Sequence, residues 1–225
     1  MKRSSRNRLN RRHLELFPQQ NLFSRLARTV CEAECLPRKE FFESWEVARR
    51  IHRRIKGRNI VELACGHALL SHILLLLDSS IPAATAIDRT IPPSAARLSS
   101  VLTVKWPALA GRVSFQETNM DKATVSSEDL LVSVHACGAL TDQVIDLAVD
   151  NNAALALLPC CHDLKQSATG QLEGWMEPTL AVDVMRVARL QTAGYNVWTG
   201  IIPADITPKN RLLIATWNGQ KKNGQ

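Results

Sequence analysis

Tyrosine occurs once in this 225-residue chain, at Tyr195, and aromatic residues make up only 5%. That scarcity excludes a base-stacking platform built from many Tyr and Phe rings. Long apolar runs are missing as well. The leucine-rich run at residues 73–77, with Leu69 and Leu70 just before it, is broken by Ser71 and His72 and stops at Asp78, and the six apolar residues 153–158 stop at Pro159. A membrane span needs about 20 apolar residues. The basic start has no apolar core of a secretory signal behind it, because Pro18, Gln19, Gln20 and Asn21 interrupt. Six cysteines outside a secretory context read as free thiols in a reducing compartment, and the chain is expected to be cytoplasmic.

What is present is ordinary globular composition, 45% hydrophobic and 22% charged, enough for one full-sized domain with a short extension. The formal charge of +7 is uneven: residues 1–58 hold 16 Lys and Arg against 6 Asp and Glu, while the remainder is net acidic. Residues 1–13 carry Lys2, Arg3, Arg6, Arg8, Arg11 and Arg12 with no acid, and read as a disordered arm. Arg49, Arg50, Arg53, Arg54, Lys56 and Arg58 lie on or just past a helix expected over 40–56, whose Phe41, Trp45, Val47, Ala48 and Ile51 can dock on a core. Such an arm and helix suit a polyanion, since each neutralised phosphate releases counterions. A solvated face with a loose tail, or an organelle transit peptide, is the competing reading.

From residue 59 short apolar runs alternate with helical periodicity. Strands are expected at 59–64, 83–87, 112–117, 130–135, 153–158, 196–202 and 211–217. Helices are expected from after His67 to Leu77, over 93–102 with Pro92 and Pro93 in the first turn, to Val149 with Thr141 as a cap, and over 179–193 with Gly194 closing it. Alternation of this kind predicts an α/β fold with a mostly parallel sheet covered on both faces, and the two final strands predict an antiparallel hairpin. In such sheets the ligand sits beyond the carboxyl ends of the strands, beside the first one.

Two strand ends stand out. Gly66 follows a buried strand and precedes a helix, where a residue without a Cβ lets backbone approach a ligand. Asp88 lies 22 residues on, at the end of the second strand, where a carboxylate can accept ribose hydroxyls. A dinucleotide site asks for G-x-G-x-x-G, whereas this turn has one glycine and an acid, Glu62, within the strand. An acid there repels a pyrophosphate and suits an ammonium or sulfonium cation. S-adenosyl-L-methionine carries both cations and is the expected cofactor.

V-E-L-A-C-G-H-A-L-L-S (61–71), V-H-A-C-G-A-L-T-D (134–142), L-P-C-C-H-D-L (158–164) and I-T-P-K-N-R-L (206–212) resemble a class I methyltransferase family. It is the family with H-A-C-G after the fourth strand and P-C-C after the fifth. It includes the methyltransferase domain of a eukaryotic tRNA ribose 2′-O-methyltransferase and several uncharacterised methyltransferase-like proteins. The resemblance covers about residues 40–218. It implies a seven-stranded Rossmann-like sheet that binds S-adenosyl-L-methionine. By that resemblance the methionine part lies against Glu62, Cys65, Gly66 and His67, the ribose on Asp88, and the adenine near Arg89, Asn119 and Met120. His135 and Ala136, at the end of the fourth strand, are placed with them. The glycines usual on either side of Gly66 are Ala64 and Ala68, Asn119 stands where an acid is common, and His162 stands where several relatives have an aromatic residue.

If the fourth and fifth strands are neighbours, His135, Cys137, Cys160, Cys161 and His162 converge where a methyl group would be presented. The structural reading ranks first for Cys161, while Cys137 and Cys160 are candidates for a direct catalytic role. His162 or Asp163 is the expected general base or substrate orienter. A metal site ranks last, because neighbouring strand residues point to opposite faces; no metal is expected. Cys31 and Cys35 lack nearby ligand partners.

The domain reading is a basic arm and short helical segment over 1–38, a basic helix over 39–58, a methyltransferase domain over 59–218 and a disordered tail from 219. The expected function is methylation of RNA, with tRNA among the substrates and Lys209 and Arg211 extending the basic surface. Alternatives are a methyltransferase for a protein or small molecule, a non-catalytic module binding S-adenosyl-L-methionine or RNA, and an oxidoreductase.

Overall fold

Residues 2–219 are described by a computed structural model. Of the expected tail from 219, residues 220–225 lie outside the described residues. Two helices, α1 (Leu22–Ala33) and α2 (Arg38–His52), precede the alternating region. That region runs β1 (Asn59–Leu63), α3 (Leu69–Leu77), β2 (Ala84–Asp88), α4 (Ser94–Lys105), β3 (Val113–Glu117), β4 (Asp129–Ser133), α5 (Ala139–Asn151) and β5 (Ala154–Leu157). It closes with α6 (Pro178–Thr192), β6 (Tyr195–Ile201) and β7 (Arg211–Trp217). No helix among the described residues is long and apolar enough to cross a membrane.

The seven strands form one sheet in the order β3-β2-β1-β4-β5-β7-β6. β1 to β5 pair in parallel, and β7 pairs antiparallel with both β5 and β6. Both features match the expected fold class. The strands are read through their period of two. Ile60, Leu130, Val132, Ala154 and Ala156 face one layer with α1 to α4, and Val61, Leu63, Leu131, Leu155 and Leu157 face the other with α5 and α6. The strand order reverses between β1 and β4, which opens a crevice at their carboxyl ends.

The first residues are ordered, against expectation. Leu9 is fully buried, and a single leucine so placed supplies about 1.5–3 kcal/mol. Backbone hydrogen bonds run from Leu9 N to Leu36 O (2.9 Å), Arg38 N to Asn7 O (3.0 Å) and Lys39 N to Ser5 O (3.0 Å). A 3₁₀ turn follows over Arg11–Leu16, capped by the Asn10 side chain. The arginines around Leu9 point outward while the backbone is pinned, so composition alone misreads the segment. Two smaller expectations are also corrected. α4 starts at Ser94, one residue after Pro93. Thr141 does not cap α5: its hydroxyl donates to Ala136 O at 2.6 Å and steadies the preceding loop, and Gly138 is the N-cap.

Candidate active site

Beyond β1 the backbone turns through three alternating left-handed residues, Ala64 (φ 53°), Gly66 (φ 50°) and Ala68 (φ 55°). The left-handed helical conformation costs an L-residue about 1–2 kcal/mol, so alanine holds it only where neighbours fix the backbone. They do. Gly66 N donates to Asp88 Oδ2 (2.9 Å), and Cys65 N to Ile87 O (3.1 Å). The Ala68 carbonyl accepts from the His72 ring at 2.7 Å, which assigns the proton to Nδ1. Glu62 is buried on the α3 side of the sheet and its Oε2 accepts from Ser71 N (2.8 Å), bracing the first turn of α3. Burial pushes the Glu62 carboxyl up to about 7.

A cleft of about 400 Å³ opens past β1, β2 and β3. It brings together the expected Asp88, Arg89, Asn119 and Met120. Ala64, Ile87, Thr118, Asp121, Leu140 and Gln143 complete it. Leu140 and Gln143 were not anticipated; the adjacency of β4 to β1 is what carries the start of α5 over the crevice. One Asp88 oxygen is committed to Gly66 N, so this acid fastens the turn as well as facing the cleft. Apolar walls from Ile87, Met120 and Leu140, the Asp88 and Asp121 carboxylates as acceptors and the Asn119 and Gln143 amides as donors and acceptors suit an adenosine group.

Other expected residues sit around this cleft without lining it. Cys65 is buried beneath the turn against Ala68 and Ala86, and burial raises its thiol pKa. His67 reaches Ser94 at 2.8 Å, bridging to α4, with its pKa lowered by burial, Arg8 and Arg97. Ala136 is buried and tied to Ser133 and Thr141. His135 is held neutral, its pKa lowered to about 4 by burial with Lys39 adding to the effect.

The loops after β4 and β5 do converge. Cys137 Sγ and Cys160 Sγ lie 2.6 Å apart, and the three sulfurs of Cys137, Cys160 and Cys161 fall within 4.8 Å of one another. β5 ends at Leu157, so strand alternation does not govern Cys160 and Cys161, and the expectation that they diverge is corrected. Burial and neighbouring thiols raise the Cys160 pKa, and burial raises that of Cys137, so neither thiol is prepared as a thiolate nucleophile. Cys137, Cys161, His162 and Asp163 line an open cleft of about 570 Å³.

His162 is the more firmly held of the expected pair, His162 and Asp163. Its side chain is 1% exposed, with Nε2 on Asp183 Oδ1 at 2.7 Å and Nδ1 buried without a partner. Burial works against ionised Asp183, but hydrogen bonds from His162 and Arg211 outweigh it and hold its pKa below the ordinary value. With Asp183 ionised, Nε2 carries the proton and Nδ1 the lone pair. Arg186, 3% exposed, joins Asp183 (3.1 Å) to Asp142 (2.7 Å) and locks α6 to α5. Arg211 donates to Asp183 at 2.6 Å and to Thr179, so it braces this network instead of adding free basic surface.

The basic residues divide into two groups. Arg6, Arg8, Arg11 and Arg12 are exposed, and Arg8 lies near His67 while Lys39 lies near His135 and Cys137. The 49–58 cluster lies elsewhere. Arg58 donates to Ser127 O just before β4, at the amino ends of the strands; Arg54 stacks 3.4 Å over the Trp198 ring. A separate cleft of about 600 Å³ between α6 and the β6–β7 hairpin is lined chiefly by apolar residues such as Leu180, Val184 and Leu213.

A methyltransferase-domain family matches residues 40–167. A Xenopus laevis glutathione S-transferase C-terminal domain-containing protein is 33% identical over 79 residues, 35% of this chain and 11% of that protein. The chain thus spans about a tenth of the length of that curated relative. The B. subtilis M1A22 tRNA methyltransferase TrmK is similar in structure, with TM-score 0.53, 16% identity, and 78% of this chain and 67% of that one covered. The ribosomal protein L11 methylase of Lactobacillus delbrueckii subsp. bulgaricus matches with TM-score 0.52 and 10% identity, covering 80% of this chain and 78% of its own. Identities this low speak for the fold alone. The matched family assigns the chain to the methyltransferase-domain family, carried on a seven-stranded Rossmann-like sheet.

Proposed function

We propose that this chain transfers a methyl group from S-adenosyl-L-methionine to RNA, with tRNA the first class to test. The observation that carries the cofactor is the cleft at the β1/β4 switch point, where Asp88 fastens the Gly66 turn and faces apolar walls. Asp88 would hold the ribose through its second oxygen, Asn119 and Met120 the adenine. Glu62 would supply negative charge beneath the turn for the amino-acid end. When bound, the cofactor supplies an electrophilic methyl group on a sulfonium. His162 Nδ1, buried as the side chain stands, would have to be uncovered by the entering acceptor before it could take the proton that a hydroxyl or amine gives up, and Asp183 would stabilise the resulting imidazolium. Two features support RNA as acceptor: the H-A-C-G and P-C-C segments resemble those of a tRNA ribose methyltransferase domain, and among the exposed arginines of residues 6–12 Arg8 lies near His67 beside the turn after β1.

Calorimetric titration with S-adenosylhomocysteine tests the cofactor. Micromolar binding, about −8 kcal/mol, is expected and is lost in Asp88→Ala. Methyl transfer by Asp88→Ala at the parental rate would overturn the placement. Because residues 2–16 are part of the fold, the RNA contact is tested by neutralisation, not deletion. The quadruple variant R6Q/R8Q/R11Q/R12Q is expected to weaken tRNA binding and flatten its salt dependence by up to about 3 in log–log slope. An unchanged slope would remove these arginines from the interface.

A further inference from the structure

Three thiols gathered in one place are uncommon in a chain of free cysteines, and here they come from two loops built to meet. Cys137 leaves β4 and Cys160 and Cys161 leave β5, and these strands are direct neighbours. Gly138, at φ 60°, turns the first loop so that its N–H donates to Cys161 O at 3.1 Å. A Cβ at Gly138 would sit 3.6 Å from that of Asp163, so the two loops lie side by side. Leu158 N, bonded to Ser133 O at 3.0 Å, sets the register just before the cysteines.

We propose that Cys137, Cys160 and Cys161 form a three-thiolate site for a soft divalent cation of the zinc type, with the fourth position open to the cleft. Tetrahedral zinc with sulfur at about 2.3 Å places thiolates about 3.8 Å apart. The three sulfurs lie within 4.8 Å of one another with Cys137 and Cys160 2.6 Å apart, so side-chain rotations that part this pair and keep Cys161 beside it reach that spacing. Cys137 and Cys161 are exposed, which gives the cation a path in, and each thiol yields its proton to solvent as it binds. His162 lies outside the sulfur cluster, its Nε2 committed to Asp183. The site therefore has three protein ligands, an arrangement that leaves a position for water or for an oxygen or nitrogen of a bound molecule. The open cleft beside Asp163 and Lys165 is where that molecule would enter. The site stands on its own geometry and does not depend on which acceptor is methylated.

The test is titration of the reduced full-length protein with Co²⁺, read by near-ultraviolet thiolate-to-cobalt charge transfer and by metal analysis, followed by displacement with Zn²⁺. One cobalt per chain is expected, with a charge-transfer band that Zn²⁺ abolishes. Cys160→Ser should lose the band, and Cys137→Ser and Cys161→Ser should each weaken it. Cys31→Ser, in a buried thiol elsewhere, should leave it unchanged. Circular dichroism of each variant separates loss of the site from loss of the fold. A folded parental protein without the band would overturn the proposal, as would a Cys160→Ser variant that keeps it. So would a reduced protein that refuses cobalt yet forms a Cys137–Cys160 disulfide when a peroxide accepts the two electrons and two protons; that result would make the pair a redox element.

Discussion

Ala64 gives a direct measure of what the turn after β1 costs. It is held at φ 53°, a conformation glycine adopts freely and alanine adopts at about 1–2 kcal/mol. Ala64→Gly removes that cost in the folded state, while the freer unfolded glycine chain takes back about 0.4–1 kcal/mol. The net expectation is stabilisation by about 0.5–1 kcal/mol. Ala68 shares the conformation but is fully buried against Cys65 and Ala86, so Ala68→Gly also loses a methyl worth about 0.8 kcal/mol and should come out near neutral. Gly66→Ala is the mirror experiment. A Cβ there meets no heavy atom within 4 Å, so its cost is backbone strain alone, and it should destabilise by about as much as Ala64→Gly stabilises. Urea unfolding of the three variants at constant m-value reads all of this. If Ala64→Gly destabilised while Gly66→Ala was neutral, the left-handed assignments, and the strain reasoning built on them, would be wrong.

Two further outcomes follow from buried groups. Glu62 titrates near 7 in the folded protein against 4.5 unfolded, so its proton stabilises the fold fully below pH 4.5 and that contribution is lost as pH rises through about 7. The difference in unfolding free energy between parent and Glu62→Gln should change by about 3 kcal/mol between pH 4.5 and 8. Glu40, also raised to about 7 by burial, leaves a slope common to both proteins, so the difference is the readout, and a pH-independent difference would refute the burial argument. Leu9→Ala should cost about 2–5 kcal/mol by the same urea assay, and a loss under about 0.5 kcal/mol would mean the first segment is not docked.

Much of this architecture was legible because short apolar runs end at residues that cannot continue them. Asp88 ends β2 and Glu117 ends β3, and most strand bounds fell within one or two residues of expectation. The adenosine side of the site was legible for the same reason: Asp88, Arg89, Asn119 and Met120 are strand-end residues, and topology alone brings strand ends together. The first segment was not legible. One leucine among arginines has no periodicity, and the bonds that pin Ser5, Asn7 and Leu9 are backbone bonds that leave no trace in composition. The meeting of the thiols is legible once β4 and β5 are neighbours; that the Cys160 and Cys161 sulfurs lie together is not, because strand alternation stops at Leu157. The partner of His162, Asp183, lies within a helix 21 residues away, where nothing marks it until α6 is laid beside the loop after β5.

The basic residues that end α2 acquire a different meaning from their neighbours. β6 is an edge strand, and Ile202 N bonds Asn210 O on the β7 side, so the Ile201 carbonyl points away from the sheet. Arg50 donates to that carbonyl, and Arg54 covers the Trp198 ring on the same strand. An uncovered edge of this kind, ending in Ile201 at 65% exposure, would invite a strand from another molecule. The arginines place positive charge where such a strand would have to align, so two like-charged copies repel as they approach edge to edge. Neutralising Arg50 and Arg54 would therefore expose the solution behaviour of the protein, not its chemistry, to change.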